Sequence, residues 1–295
     1  MLAPNLKKGA VIGVCSPSSH IRPESMEKFA RGMERMGFSV KVAENMYKLT
    51  DGYLPSVQER ADDLNQLICD DSVDMVFFSG GEGGPELLPY IDYEAFKKHP
   101  KAMLSYSDGT SILNAVWAQT GVTTYYGQTP KLFGDLRQYD WEHFCAHLME
   151  GPAKAHFANT AWHMQHEGTG SGILVGGYSR NFAMLLGGKY FKYDPNEKYL
   201  LFLEDHEGFG DPSYVSAMIS HVEQSDFITC VSGLVFGHYS KELNEQLLAR
   251  LSRFGEKHNV PVAYCDDFGH GVNHAILPIG RRAVLNTEKR TLIYE

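Results

Sequence analysis

In the stretch KAMLSYSDGTSIL (Lys101 to Leu113), Ser107 and Asp108 stand where an apolar run gives way to a helix-like one. Many hydrolases expose a nucleophilic serine on a sharp strand-to-helix turn, which requires small residues two positions before and two after it. Ser105 and Gly109 meet that requirement, giving small-x-Ser-x-Gly rather than a strict GxSxG. The following helix would aim its N-terminal N–H groups and positive dipole end at the serine, and the Asp108 N–H could donate to an oxyanion. The same residues also make an ordinary helix N-cap, so the stretch alone leaves both readings open. Upstream, FFSGGEGGPELLPYID places Gly80, Gly81, Gly83 and Gly84 around Glu82 at a strand end. Glycines let a backbone approach a ligand closely, and consecutive N–H groups can form an anion nest. The run lacks the Lys-Ser/Thr ending of a phosphate loop, and GxGxxG is absent, so an oxyanion donor fits better than a nucleotide cradle. A plain glycine-rich loop is the alternative.

A nucleophilic serine needs a base, and the base needs an orienting carboxylate. Glu204 and Asp205 emerge from the apolar run in YLLFLEDHEGFG and are the candidate carboxylates. Among the 13 histidines, His238 in LVFGHYS, His270 in DDFGHGVNH and the nearby His274 stand out. His270 lies between two glycines after the strand-like VPVAYCDD, a setting that lets a ring reach a cleft; a solvated loop histidine is the competing reading. For a metal, His143 and His147 are four apart, and Asp266, Asp267, His270 and His274 cluster. No HExxH occurs and the His143/His147 helix carries no obvious third ligand, so no metal and no cofactor are expected.

The elements that must position these groups alternate between two periodicities. From Ala10 to Ala118, continuous apolar strands such as AVIGVCS and VDMVFFSG alternate with amphipathic helices such as SMEKFARGMERMG, closed by Gly37. That pattern predicts a parallel sheet covered on both faces, where ligands sit beyond the carboxyl ends of the strands. SPSS, SGGEGG and SYSDGT all fall at such ends. We expect an α/β protein: a flavodoxin-like nucleophile-bearing domain over 1–150, a polar, His-rich inter-domain linker over 151–171, and a second, smaller α/β domain over 172–295 ending in a hairpin.

Composition narrows the function. Apolar residues make up 43% and charged residues 21%, with 16 Phe and 16 Tyr, enough for a substantial core. The formal charge is −9 with no long basic run, so nucleic acid is not an expected partner. The five scattered cysteines contain no CxxC and read as small buried hydrophobes in a reduced compartment. Lys7-Lys8 precede an apolar stretch of only about eight residues, at the lower limit of a signal-peptide core, and no run reaches the roughly 20 apolar residues of a membrane span. A cytoplasmic protein without membrane contact is expected.

In order along the chain, LKKGAVIGVCSPSS, SGGEGGPELLPYID, YSDGTSIL, GILVGGY…LLGG, LLFLED and FGHGVNHAILPIG resemble the LD-carboxypeptidase family of serine peptidases, nearly end to end. The resemblance implies a Ser-Glu-His triad at Ser107, Glu204 and His270, with His238 a decoy. It implies an oxyanion hole from the backbone of Gly80, Gly81 and Asp108, an acyl-enzyme, a small peptide or peptide-like substrate of the murein LD-type, a role in peptidoglycan recycling and a homodimer. Serine in one domain with Glu and His in the other would place the site at their interface. The chain departs from the family pattern at Ser105, Glu82, Tyr178 and Gln128, which bears on substrate rather than on the triad. Glu82, Tyr178 and Arg180 are therefore expected to bind substrate, Arg180 by meeting a free carboxylate. Two alternatives stand beside this reading. One is a microcin C immunity-like peptidase acting on aminoacyl-nucleotide amides, with Trp162 stacking on a base; the other is a non-catalytic small-molecule binder on the same scaffold.

Overall fold

The structure is a computed structural model that describes residues 1–134 and 136–295. Its first half is built as the alternating pattern requires. Strand β1 (Val11–Cys15) is followed by helix α1 (Pro23–Arg35), which buries Met26, Phe29 and Met33 on one face. Gly37, at φ +87°, then turns the chain into β2 (Ser39–Val42). Helix α2 (Val57–Cys69) begins in a capping box, in which Ser56 Oγ accepts from Glu59 N–H and the Glu59 carboxylate accepts from Ser56 N–H. Strand β3 (Met75–Phe78), wholly buried, leads through the short helices α3 (Gly84–Leu87) and α4 (Tyr93–Lys98) to β4 (Ala102–Ser105), α5 (Thr110–Thr120) and β5 (Thr124–Tyr126).

These strands pair in the order β5-β4-β3-β1-β2, all parallel. Strand order reverses at β1, and in open α/β sheets the crevice beyond the carboxyl ends of the strands at such a point is the usual place for a ligand. A strand from the far end of the chain, β11 (Leu277–Ile279), adds antiparallel to the β5 edge.

The second sheet runs β13-β12-β7-β8-β9-β10-β6. Its centre is parallel: β7 (Thr169–Tyr178), β8 (Tyr199–Glu204), β9 (Val231–His238) and β10 (Val262–Gly269). Helices α7 (Ser179–Leu186), α8 (Pro212–Gln224) and α9 (Glu245–His258) lie along the chain between them. The hairpin of β12 (Arg282–Asn286) and β13 (Thr291–Tyr294) closes one edge, and β6 (His163–His166) pairs antiparallel with β10 at the other.

Helix α6 (Gln138–Phe144) widens into a π turn over Cys145–Met149 before the chain crosses from one sheet to the other. The crossing stretch is polar in sequence but firmly held. The buried Asp267 carboxylate accepts from the N–H groups of Asn159 and Thr160, the Thr160 hydroxyl and the Trp162 indole, and pairs with His156. One hydrophobic core joins the two sheets, with Phe78 and Leu113 in the same cluster as Leu174, Phe202 and Val235. Among the described residues, no helix is long and apolar enough to cross a membrane.

Candidate active site

Ser107 sits just beyond β4 with φ +56°, a left-handed conformation that costs an L-residue about 1–2 kcal/mol. Tight packing explains how so sharp a turn is tolerated. A Cβ on Gly109 would lie 2.2 Å from Ser105 Oγ, and one on Gly80 would lie 2.5 Å from Ser107 Cβ. Ser105 is itself fixed by donating to Phe78 O at 2.9 Å. The small residues on either side of Ser107 are therefore a packing requirement, and Gly80 brings the glycine-rich loop directly against the serine.

Glu204 ends β8 with no solvent exposure, and His270 follows the end of β10. Although 66 and 163 residues respectively separate His270 from Glu204 and Ser107, the three side chains meet. His270 Nε2 is 3.1 Å from Ser107 Oγ, and His270 Nδ1 is 2.7 Å from Glu204 Oε2. The second carboxylate oxygen, Oε1, accepts from the Tyr126 hydroxyl at 2.5 Å, and that hydroxyl accepts from Ser107 N–H at 3.1 Å. Hydrogen bonds thus close a ring through Ser107, His270, Glu204 and Tyr126. A buried carboxylate without partners would be costly; here each oxygen has its own donor. Burial pushes the Tyr126 phenol well above its usual range, so it stays protonated and keeps donating.

Asp108, also buried, plays a part the sequence does not reveal. Its carboxylate accepts from Gly84 N–H at 2.6 Å and from Asn181 Nδ2 at 2.6 Å, tying the glycine-rich loop of the first sheet to α7 of the second. Burial raises the Asp108 carboxyl above the ordinary range. Around the serine, the N–H groups of Ser107, Glu82, Gly84 and Gly109 are committed to Tyr126 Oη, Ser18 O, Asp108 Oδ2 and Tyr106 O.

A cleft of about 700 Å³ opens onto Ser107 and His270. Gly80, Gly81, Glu82, Tyr178 and Arg180 all line it, so every expected substrate-side residue borders the serine's own cavity. Arg180 donates from one nitrogen to both Glu82 oxygens at 2.8 Å, bridging the two sheets across this cleft. Phe209, between Gly208 and Gly210, stands 62% exposed on the rim, 5.1 Å from the His270 ring. His274 forms part of the wall; burial, reinforced by the nearby His270, lowers it to about 4, so it is neutral at physiological pH.

Several expected candidates lie elsewhere. His238 turns to Asp266, with Nδ1 2.7 Å from Oδ1, and does not meet Ser107. Asp205 accepts from Ser179 Oγ and from His206 N–H, and burial raises it to about 6. Trp162, expected to stack on a base, is 5% exposed and spends its indole N–H on Asp267 at 2.8 Å; this overturns that expectation. His143 and His147 stack at 5.8 Å inside an aromatic cluster. Among the described residues, no group of three or more His, Cys, Asp or Glu side chains is arranged to hold a metal ion. Gln128, one of the departures from the family pattern, is buried and donates to Asp140 O and His274 O, behind the cleft wall. Tyr126 is the partner that sequence reading missed. Its position at the carboxyl end of a parallel strand was the available signal.

The family profile for the LD-carboxypeptidase N-terminal domain matches residues 12–127, and that for the LD-carboxypeptidase C-terminal domain matches residues 171–285. A Bacillus subtilis (strain 168) protein named "Probable murein peptide carboxypeptidase" is 28% identical, over 98% of this chain and 93% of that one. The crystal structure of an MccF-like protein from Bacillus anthracis str. Ames superposes with a TM-score of 0.89 at 26% identity, covering 100% of this chain and 98% of that one. Microcin C7 self immunity protein MccF, solved in complex with aspartyl sulfamoyl adenosine, shares the fold with a TM-score of 0.86 at 22% identity, covering 100% of this chain and 98% of that one. With both of its domain profiles matched in order, the chain belongs to the LD-carboxypeptidase family of peptidases.

Proposed function

We propose that this protein hydrolyses an amide bond of a small peptide-like substrate, an LD-peptide of the murein type, by acyl transfer through Ser107, His270 and Glu204. The observation that carries the proposal is the unbroken hydrogen-bond chain from Glu204 through His270 to a serine held at φ +56° at the floor of an open cleft. A non-catalytic binder has no need for a strained serine facing a carboxylate-oriented imidazole.

In this reaction His270 Nε2 takes the Ser107 proton as Oγ attacks the scissile carbonyl. Glu204 Oε2 accepts from the Nδ1–H side, fixing the tautomer and stabilising the imidazolium, and Tyr126 keeps the carboxylate's other oxygen occupied. Oxyanion donation is assigned, as the family resemblance implies, to the N–H groups of Gly80, Gly81 and Asp108, while those of Glu82, Gly84 and Gly109 are committed elsewhere. The imidazolium then returns its proton to the leaving amine, and water activated by the same histidine hydrolyses the ester.

Phe209 favours one second reading, hydrolysis of an aminoacyl-nucleotide amide. This ring, not the buried Trp162, is the aromatic available to stack on a planar group at the rim. Incubating the protein with an LD-tetrapeptide, an aminoacyl-adenylate analogue and plain L-dipeptides, with products followed by mass spectrometry, separates the readings. Release of the terminal D-residue is the expected result. Cleavage of the adenylate analogue alone favours the second reading, and cleavage of none of them contradicts both.

A further inference from the structure

The cleft contains an ion pair whose members come from opposite sheets. Glu82 lies in the glycine-rich loop after β3, two positions beyond Gly80, whose backbone touches Ser107. Its own N–H is anchored to Ser18 O at 2.7 Å, so the loop is fixed while the carboxylate projects into the cleft with its side chain 75% exposed. Arg180 stands in the first turn of α7 and is only 27% exposed. Its guanidinium carbon lies 5.3 Å from the centre of the Tyr178 ring, and that ring's centre is 5.3 Å from the His270 ring.

Arg180 is thus one aromatic ring away from the imidazole. Arg180 lines the same cleft as Ser107 and His270, so a substrate whose scissile bond lies at the serine meets this cation on the cavity wall. With the cleft open to solvent, the partner that Arg180 actually holds is a carboxylate belonging to the protein, bound by one nitrogen to two oxygens at 2.8 Å.

We propose that Arg180 is the receptor for the substrate's terminal carboxylate and that Glu82 is its internal stand-in, displaced when substrate enters. The proposal rests on the carboxypeptidase reading above and names the group that would select a free C-terminus. The pairing keeps the guanidinium extended over Tyr178 rather than loose in solvent, so the receptor is pre-organised. An ion pair with so exposed an acid is weakly held, so displacement is easy and its cost in affinity is small. An incoming carboxylate can also present both oxygens to the planar guanidinium in the two-point geometry that one nitrogen of Arg180 does not make with Glu82.

The test measures binding, so that it does not depend on turnover. In a Ser107→Ala background, calorimetry compares N-acetyl-L-alanyl-D-alanine with its C-terminal carboxamide. The acid should bind at least about tenfold tighter than the amide, and Arg180→Leu should erase that preference. Glu82→Gln should tighten the acid by roughly two- to fivefold, because a competitor is removed. In the Glu82→Gln/Arg180→Leu double variant the tightening should vanish, since nothing remains to compete for. The proposal is overturned if Glu82→Gln weakens the acid or leaves it unchanged, or if Arg180→Leu keeps the preference. It is equally overturned if neither probe binds, or if Lys131→Met, at the other cation of the cleft wall, erases the preference instead. Failure of the serine-peptidase reading would show separately, as an acid left intact by the parent protein or consumed by the Ser107→Ala protein.

Discussion

Ser107 owes its geometry to glycines and its polarity to a tyrosine. Tyr126 holds both the serine's N–H and the buried Glu204 carboxylate, so Tyr126→Phe breaks two bonds of the ring at once. A hydrogen bond to a charged group contributes about 1.5–3 kcal/mol, and losing that much in the transition state lowers kcat/KM roughly 10- to 100-fold. Steady-state kinetics on a protein with an unchanged circular dichroism spectrum checks this; activity within twofold of the parent would show that the phenol is a bystander. Local pattern marks Ser107 and Glu204 only as candidates, small residues flanking the one and an apolar strand delivering the other beside Asp205; the family resemblance singles them out. Tyr126 carries only the weak signal of a strand's carboxyl end, since a tyrosine in TTYYG looks like any strand aromatic until the second sheet brings Glu204 to it. Trp162 misleads for the same reason, its partner Asp267 being 105 residues away.

Helix α6 and its π turn carry a feature with a pH signature. His143 and His147, four apart, face inward and pack against Phe157, His156 and Tyr294. Burial foremost, and then neighbouring positive charge, depresses His143 to about 2 and His147 to about 3. In the unfolded chain both titrate near 6.5, so the folded state binds fewer protons between these values. Their contribution to stability is therefore complete above about pH 6.5 and is lost as pH falls, by roughly 1.4 kcal/mol per pH unit for each ring. Asp205, raised to about 6 by burial, works in the opposite sense over the range down to its unfolded value and offsets part of the slope. Urea midpoints measured from pH 7 to pH 4 should fall steeply, and His147→Leu should flatten that fall by about one proton's worth; an unchanged slope would contradict the assignment. The i, i+4 spacing is visible in the sequence and raises metal ligation, for which that helix offers no obvious third ligand. Only the aromatic packing around the pair reveals a structural role.

At the scale of the molecule, the two sheets do not behave as beads on a string. Strand β11 leaves the C-terminal half to complete the first sheet, and a single apolar cluster joins residues of both. Thermal unfolding followed by calorimetry should accordingly give one cooperative transition, and two resolved transitions would show that the halves are energetically separate. The α/β alternation and the parallel first sheet could be read from periodicity, because each helix and strand carries its own apolar pattern. The return of Leu277–Ile279 to the first sheet could not, since three residues set no period and their partner Thr124–Tyr126 lies far away in sequence. The same long-range closure brings Glu204 and His270 to Ser107, and in the sequence it was legible only through resemblance to a family.

The claim that the rest depends on is that Ser107 is the nucleophile. The most direct measurement is the rate of terminal D-residue release from an LD-tetrapeptide by the parent and by Ser107→Ala, each with its fold verified by circular dichroism. Removing the hydroxyl should leave the fold intact, because Ser107 anchors its turn through its backbone N–H rather than its side chain. Turnover should fall by roughly 10³-fold or more, the residue reflecting binding and the oxyanion donors. A Ser107→Ala protein that folds normally and turns over at the parental rate would contradict the account.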